Sequence, residues 1–381
     1  MNPRERVLTT ILHREPDRIP IDFGGGVSSI MRRAYINLCN FLNVDHKDTK
    51  YTIFDTVMDI DERILRRFNI DFRRVWLGEP LNSHTIKNSD GSITDIFGIK
   101  RKKVGEYMEI ISPPLNGAEI YDIKNYRFPD PEDKGWLLGV EERARNLSEN
   151  SSYAVVLGMS LDGVFESGTY LFGFEDFLIN LYTEKKLVNY FFDKLIEFET
   201  TFWSFVLKRI GKYIDIIELG DDMANQRQLF FSKEIYREMI KPRHLTLFSS
   251  IKKYTQAKLF LHCCGSVVEI IDELIDVGID ILNPVQPGAF DMRAKDLKNK
   301  FGNSICFHGG IDEQYYLSRA NMNEFTKEVK RVIREFTPNG GYILAPAHNI
   351  QSDTSPGKIV KLYEIAVNYG IYPIRIKNLK N

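Results

Sequence analysis

Short apolar runs alternate with longer helical stretches through the C-terminal two thirds of the chain. The runs are rich in β-branched and aromatic residues, so we predict strands at 154–159, 214–219, 257–262, 279–283, 304–308 and 341–345. The stretches between them carry helix signals: Ser266 and Glu269 have the spacing of a capping box, and Ser355-Pro356 predicts a last helix that ends before Gly370. This alternation predicts βαβ units and a parallel sheet.

The N-terminal third has a different pattern. Asn2 and Pro3 have the residue types of a helix N-cap and first turn, so we predict a helix that ends before Pro16. Residues 18–22 predict a short strand. Between residues 71 and 112 short alternating pieces surround turn signals, which predicts a β-hairpin elaboration on the main domain.

Six predicted βα units and the early strand bring the strand count close to eight. No G-x-G-x-x-G or G-x-x-x-x-G-K-[ST] motif opens a predicted helix, so a nucleotide-binding doubly wound sheet is the weaker alternative. We therefore predict an α/β fold, a distorted (β/α)₈ TIM-type barrel, that forms one domain over residues 1–381.

Composition narrows the classes of function. With 51 Lys and Arg against 52 Asp and Glu, the chain has no charge bias toward nucleic acid or anionic membranes. We find neither a signal peptide nor a membrane-spanning run. Four cysteines are too few for a disulfide framework in 381 residues, which favours a reducing compartment. Together these features lead us to expect a cytoplasmic protein with a small-molecule substrate and no nucleic-acid or membrane partner.

Polar side chains follow the ends of the predicted strands, where the active site of a barrel lies. His262 and Cys264 are two residues apart at one such end, so an extended backbone directs both side chains to the same side. This arrangement suits two ligands of a tetrahedral zinc ion, and His348 or His308 offers a third. The alternative is that a buried cysteine pair and a capped histidine fill the barrel mouth.

Three carboxylates, Glu218, Asp221 and Asp222, stand together after the run that begins at residue 214. Such a group serves acid/base chemistry, supplies an oxygen ligand to a metal or binds a cationic or pyrrole N–H substrate, whereas helix capping is the structural alternative. We predict Asp222, Glu218 and His348 as catalytic residues and Asp221 as a substrate-binding residue.

Glycine-rich turns indicate further contacts with substrate. Gly24 and Gly25 follow the first predicted strand, close to Ser28, and allow the backbone to approach an anionic group. His308 precedes two more glycines in a turn of the same kind. We predict substrate binding at these four positions, with a structural role as the alternative for His308.

Several motifs spread over nearly the whole chain form a specific set. They are N-P-R-E-R-V-L and R-E-P-D-R-I-P near the start, G-D-D at 220–222 with Gln226, Ser232 with Tyr236-Arg237 and Lys241-Pro242, L-H-C-C-G at 261–265, H-G-G-I-D at 308–312, and G-Y-I-L-A-P-A-H-N-I at 341–350 with T-S-P at 354–356. The set resembles the uroporphyrinogen decarboxylase superfamily, which includes cobalamin-dependent zinc methyltransferases. The resemblance implies a distorted (β/α)₈ barrel with a cleft at the strand C-termini.

Within this superfamily the motifs favour the methyltransferase branch. True decarboxylases carry an arginine-rich M-R-Q-A-G-R-Y segment that holds substrate carboxylates, and this chain has D-F-G-G-G-V-S-S at residues 22–29 instead. The methyltransferases hold zinc through a His-x-Cys and a later cysteine. His262 and Cys264 match the first part, whereas His348 stands where the later cysteine would be.

The resemblance implies a zinc-dependent methyltransferase that moves a methyl group between a corrinoid and a thiol or similar acceptor, with zinc at His262, Cys264 and His348. A methylcorrinoid would be the co-substrate, carried by a partner protein, because the chain has no D-x-H-x-x-G signature. The basic residues 100–103 suggest a surface for an acidic partner, or a solvated face. The alternatives are a metal-free decarboxylase or lyase with acid/base chemistry at Asp222 and His348, and a non-catalytic corrinoid or tetrapyrrole binder.

Overall fold

The computed structural model describes residues 1–374, in which strands and helices alternate along most of the chain. The strands are β1 (Phe72–Val75), β2 (Ile86–Lys87), β3 (Ile93–Thr94), β4 (Lys100–Val104), β5 (Tyr107–Ser112), β6 (Ala154–Leu157), β7 (Ile216–Gly220), β8 (Lys258–His262), β9 (Ile281–Val285), β10 (Cys306–Ile311) and β11 (Tyr342–Pro346). Each of the six predicted C-terminal runs overlaps one of the strands β6 to β11, so these predictions are confirmed.

Helices connect the strands and lie outside the sheet. They are α1 (Pro3–Ile11), α2 (Arg32–Leu42), α3 (Glu62–Arg67), α4 (Ile120–Asn125), α5 (Val140–Asn150), α6 (Val164–Phe172), α7 (Phe174–Thr183), α8 (Lys185–Ile210), α9 (Lys233–Ile235), α10 (Lys241–Lys252), α11 (Ile271–Asp276), α12 (Ala294–Phe301), α13 (Met322–Phe336) and α14 (Pro356–Tyr369). Within residues 1–374, none of them combines the length and the apolar composition needed to cross a membrane.

The main sheet is parallel and has the strand order β1-β6-β7-β8-β9-β10-β11. Residues 18–22 lie between its two edges: Ile21 forms a parallel bridge to Leu344 of β11, and its carbonyl accepts a hydrogen bond from the N–H of Asp71, directly before β1 (3.0 Å). We predicted a strand here, and the structure has isolated bridges instead, because Pro20 has no N–H to continue a ladder. With this segment the sheet closes into the predicted distorted (β/α)₈ barrel.

The predicted hairpin region, residues 71–112, contains two different features. Its first strand, β1, belongs to the barrel, and the remaining strands form a separate antiparallel sheet in the order β2-β3-β4-β5. The predicted elaboration is therefore present as a four-stranded antiparallel sheet, and it begins after one barrel strand. The basic positions of β4 are largely paired within the chain: Lys100 with Asp90, Arg101 with Asp95, and Lys103 with Asp55.

The side chains that point into the barrel form two layers. The layer near the N-terminal ends of the strands is apolar, and it consists of Val7 and Ile11 of α1 with Phe72, Ala154, Val156, Ile216, Phe260, Ile281, Cys306 and Ile343. The layer nearer the C-terminal ends, which we call the polar layer, consists of Asp22, Arg74, Glu218, His262, Asn283 and His308. All six side chains of the polar layer are buried, and they form the floor of the barrel mouth.

Candidate functional site

Three potential metal ligands meet at the barrel mouth. His262 ends β8, Cys264 follows it, and His348 follows β11; one ligand atom from each lies within 4.8 Å of the other two. The Nε2 atom of His262 is 3.3 Å from Sγ of Cys264, and the rings of His262 and His348 have their centroids 5.7 Å apart. The alternation of side chains along an extended backbone explains why residues 262 and 264 share one side.

Burial sets the protonation of two of these groups. It lowers the pKa of His348 to about 4, with a smaller contribution from His262 in the same direction, so the imidazole is neutral near pH 7 and has a free lone pair. Burial and the nearby Asp222 carboxylate raise the pKa of the Cys264 thiol. In the absence of a metal, Cys264 is therefore a neutral thiol.

Asp222 lies beside this cluster and is partly exposed. Its Oδ1 atom accepts a hydrogen bond from the backbone N–H of Cys264 (2.7 Å) and lies 3.7 Å from Nε2 of His262. Of the carboxylates predicted from the sequence, Asp222 is the one that the structure brings to the three ligand atoms.

Glu218 and His308 occupy the polar layer below the mouth. Oε1 of Glu218 accepts two hydrogen bonds from Arg74 (2.7 and 3.0 Å), and His308 lies between Asp22 (3.0 Å) and Asn283 (2.8 Å). Both side chains are 2 % exposed or less. Within the described residues, Oε2 of Glu218 has no hydrogen-bond partner. The structure thus places both residues below the mouth, and catalysis by Glu218 and substrate binding by His308 stay predictions.

Asp221 caps a helix, which is the structural alternative that the sequence analysis gave for this group of carboxylates. Its two oxygens accept hydrogen bonds from the N–H groups of Phe165 (3.2 Å) and Glu166 (2.8 Å) at the start of α6, and Oδ2 also lies 2.8 Å from Nε2 of His244. The side chain is fully buried. These contacts favour the structural alternative for Asp221, and substrate binding by this residue stays a prediction.

The glycines near the N-terminus accommodate Arg74. A Cβ atom at Gly25 would lie 2.4 Å from Nε of Arg74, so glycine is required for the guanidinium to pack there. Gly24 and Gly25 also line a cavity of about 370 Å³ beside β1. Ser28 is fully buried, and within the described residues its hydroxyl has no hydrogen-bond partner. The predicted role of Ser28 in substrate binding stays a prediction.

Sequence reasoning missed three polar residues. Arg74 and Asn283 belong to the polar layer, and Asn283 was recognisable as the one amide that ends a predicted apolar run. Glu313, just after β10, is 5 % exposed and lines a cavity of about 540 Å³ at the barrel mouth; burial raises its pKa to about 7. Glu313 had no signal in the sequence, because its burial results from tertiary packing.

The donor set of the cluster fits zinc. Two imidazole nitrogens and one thiolate are borderline-soft ligands, and three protein ligands leave a tetrahedral zinc ion one position for another molecule. Hard cations such as Mg²⁺ and Ca²⁺ prefer oxygen ligands, whereas this cluster offers two imidazoles and a thiol. The ligand atoms are also close enough to surround one ion.

Comparisons with known proteins agree with the fold. The family model described as Uroporphyrinogen decarboxylase (URO-D) matches residues 105–369. A solved methyltransferase from Methanosarcina mazei is similar to this chain with a TM-score of 0.67 and 16 % identity, over 96 % of this chain and 98 % of that chain. The similarity to that structure is one of fold.

Two other solved structures match with lower scores. A B12-independent methionine synthase from Shewanella sp. W3-18-1 has a TM-score of 0.36 and 12 % identity, over 60 % of this chain and 65 % of that chain. The β-glycosidase from Thermosphaera aggregans has a TM-score of 0.39 and 11 % identity, over 81 % of this chain and 84 % of that chain. No curated protein sequence matches this chain significantly.

Proposed function

Because the chain belongs to the uroporphyrinogen decarboxylase family, we propose that it is a zinc-dependent methyltransferase that moves a methyl group between a corrinoid and a thiol or similar acceptor. One observation carries this proposal: His262, Cys264 and His348 converge at the barrel mouth with their ligand atoms within 4.8 Å of one another. The description of the Methanosarcina mazei structure as a methyltransferase supports the same choice.

A zinc ion bound by these residues would act as a Lewis acid that lowers the pKa of a thiol in its open position. The protein groups around it have separate tasks. His348 is neutral near pH 7 and offers its lone pair, and Asp222, which is partly exposed beside Cys264, accepts the proton that the thiol releases. A methylcorrinoid, as co-substrate, would supply the methyl group to the thiolate: a sulfur–carbon bond would form while the cobalt–carbon bond breaks and its electron pair stays on cobalt.

The same structure argues against uroporphyrinogen as the substrate. A substrate with many carboxylates requires several arginines that face the cleft. Residues 22–29 of this chain contain no arginine, and the neighbouring Arg74 is buried with both of its carboxylate partners, Asp22 and Glu218. The substrate should therefore carry less negative charge.

The corrinoid, in this proposal, is carried by a separate partner protein, since the sequence has no D-x-H-x-x-G signature. The reaction would take place in the cytoplasm, and the whole chain would act as a single barrel domain. The four cysteines are free in the described structure.

Acid/base chemistry without a metal is the second candidate. It is favoured by one observation, the location of both Asp222 and His348 at the mouth of the barrel. In that case the enzyme would be a decarboxylase or lyase that acts on a smaller substrate than uroporphyrinogen. A non-catalytic corrinoid or tetrapyrrole binder is the third.

Zinc content per chain tests the proposal. We expect about one zinc in the wild type and a loss of zinc in Cys264→Ala and His348→Ala, because three protein ligands are the fewest that hold catalytic zinc. Cys263→Ala is the matched control: Cys263 is buried, and its Sγ accepts a hydrogen bond from the N–H of Met223 (3.3 Å), so this variant should keep its zinc.

Two further results separate the candidates. Wild-type protein that binds no zinc after reloading would exclude the zinc mechanism and favour acid/base chemistry at Asp222 and His348. Zinc-loaded protein should also methylate a small alkyl thiol from free methylcobalamin. Tight binding of cobalamin without turnover of any thiol would favour the non-catalytic binder.

A further inference from the structure

The polar layer forms a continuous line of contacts from a buried ion pair to the cluster at the mouth. Arg74 donates to both oxygens of Asp22 (3.0 and 2.7 Å), and Oδ2 of Asp22 lies 3.0 Å from Nε2 of His308. The other ring nitrogen of His308, Nδ1, lies 2.8 Å from Nδ2 of Asn283, and Oδ1 of Asn283 lies 2.5 Å from Nδ1 of His262. These residues come from four strands and the closing segment.

The ion pair determines the direction of the first hydrogen bond. Burial alone would raise the pKa of Asp22, but the charge of Arg74 outweighs burial and lowers it, so Asp22 is an anion. An ionised carboxylate only accepts hydrogen bonds. Nε2 of His308 therefore carries a hydrogen and donates it to Asp22, and in the neutral ring the Nδ1 atom is an acceptor.

The direction of this hydrogen bond also sets the direction of the next one, between the Asn283 amide and His262. Nδ2 of Asn283 faces Nδ1 of His308, and Oδ1 of Asn283 faces Nδ1 of His262. An NH₂ group only donates and an amide oxygen only accepts, so Nδ1 of His308 accepts and Nδ1 of His262 donates. In the neutral form of the His262 ring, the Nε2 atom then carries no hydrogen, on the side where Sγ of Cys264 lies 3.3 Å away.

We propose that Asn283, His308 and Asp22 are positioning residues that fix His262 as the tautomer with the hydrogen on Nδ1, and so keep Nε2 free for a metal. The effect of this tautomer on metal binding rests on the proposed zinc site. The hydrogen bond to the second ring nitrogen of a metal-binding histidine fixes both the tautomer and the orientation of the ring.

The buried ion pair is needed because an amide alone is ambiguous. Asn283 could present either its oxygen or its NH₂ group to His262, and these two choices favour opposite tautomers. His308 removes this ambiguity only because Asp22 fixes the tautomer of His308. Asn283 is fully buried and His308 is 1 % exposed, so water does not replace either group.

The test begins with metal-free wild-type protein labelled with ¹⁵N-histidine. Two-bond proton–nitrogen couplings show which ring nitrogen carries the hydrogen, and the His262 signal is assigned by its loss in His262→Gln. We expect the hydrogen on Nδ1 in His262 and on Nε2 in His308. A His262 with its hydrogen on Nε2 would overturn the proposal, and so would a His308 that carries hydrogens on both nitrogens.

Two variants at the far end of the line separate positioning from packing. His308→Gln keeps a donor for Asp22 and an acceptor for Asn283, whereas His308→Leu keeps the bulk and removes both. We expect His308→Gln to preserve the Nδ1 tautomer of His262 and His308→Leu to abolish the preference. His244, which contacts Asp221 and Tyr236 instead, is the internal control for folding.

Zinc affinity supplies the second measurement. Loss of such a partner typically weakens metal binding by about 10- to 100-fold, so we expect that loss in His308→Leu and in Asn283→Leu and a smaller change in His308→Gln. Equal zinc affinity in His308→Leu and the wild type would overturn the positioning role. Because the tautomer is measured without metal, a protein that binds no zinc would refute the proposed function and leave the tautomer result intact.

Discussion

Arg74 occupies the space that a side chain at position 25 would need. Gly25 has a φ of +90°, and a Cβ atom there would lie 2.4 Å from Nε of Arg74. The guanidinium in turn forms salt bridges with both Asp22 and Glu218. A single glycine therefore makes room for the ion pair on which the polar layer depends.

Gly25→Ala should be much more destabilising than the same change at an open glycine. Gly91, between β2 and β3, has a similar φ of +78°, and a Cβ atom there would have no heavy atom of the described residues within 4 Å. Gly91→Ala should cost about 1–2 kcal/mol of backbone strain. Gly25→Ala should cost about 3 kcal/mol more, because it separates buried charges. Urea unfolding measures both, and equal losses would contradict the packing argument.

Glu313 predicts a dependence of stability on pH. Its pKa is raised by burial from 4.5 to about 7, so between these values the folded protein holds a proton that the unfolded chain has released. Stability therefore falls as pH rises through this window, by about 3 kcal/mol at most. Glu313→Gln should gain stability relative to the wild type at pH 8 and not at pH 4.5, as measured by urea unfolding.

The control for this prediction lies in the same cavity. Glu106 also lines it and is exposed, so Glu106→Gln should leave the pH dependence of the unfolding free energy unchanged. If Glu313→Gln and the wild type have parallel pH profiles, Glu313 is not a buried carboxyl in the folded protein.

The sequence predicted the proximity of side chains well where the relevant geometry is local. His262 and Cys264 are two residues apart on one extended segment, so their proximity follows from strand geometry alone. The partners of Glu218 and Asp221 are distant in the chain: Arg74 is 144 residues from Glu218, and Glu166 is 55 residues from Asp221. No local pattern reveals these distant partners.

At the scale of elements, the sequence predicts helix starts that depend on neighbouring residues better than features that depend on tertiary contacts. The capping box of Asn2 and Glu5 forms as α1 begins, because it needs only neighbouring residues. Ser266 has the same spacing to Glu269, yet its hydroxyl donates to the carbonyl of Phe290 (2.7 Å) and caps no helix. A tertiary partner therefore overrides a local signal.

Strand β1 was not predicted from the sequence, because two of its four residues are charged. Its sequence is F-R-R-V, which lacks the apolar pattern of a buried strand, although all four residues are buried. The two arginines are buried because each has carboxylate partners: Arg73 pairs with Glu62, and Arg74 pairs with Asp22 and Glu218. Since buried charges require partners, this strand is recognisable only when the partners are known.

In the whole molecule, one buried carboxylate connects the parts that close the barrel. Asp71 precedes β1 and accepts hydrogen bonds from Arg6 of α1 (2.6 Å), from Arg18 (2.8 and 2.9 Å) and from the N–H of Ile21 (2.9 Å). Helix α1 covers the apolar end of the barrel, and residues 18–22 join β1 to β11. Asp71 therefore connects helix α1, at the apolar end of the barrel, to the closing segment at residues 18–22.

Asp71→Asn should accordingly destabilise the whole fold. The variant keeps the shape and one acceptor for Ile21 but leaves two arginines without a buried anion, and removal of one partner from a buried pair costs about 3–5 kcal/mol. Asp193→Asn is the control, because Asp193 is 69 % exposed where it meets Arg243, and an exposed pair is worth about 0–1 kcal/mol. Urea unfolding at low and at high salt measures both variants. The Asp71 loss should persist at high salt, since buried pairs are screened little; a small or salt-sensitive loss would show that barrel closure does not depend on this carboxylate.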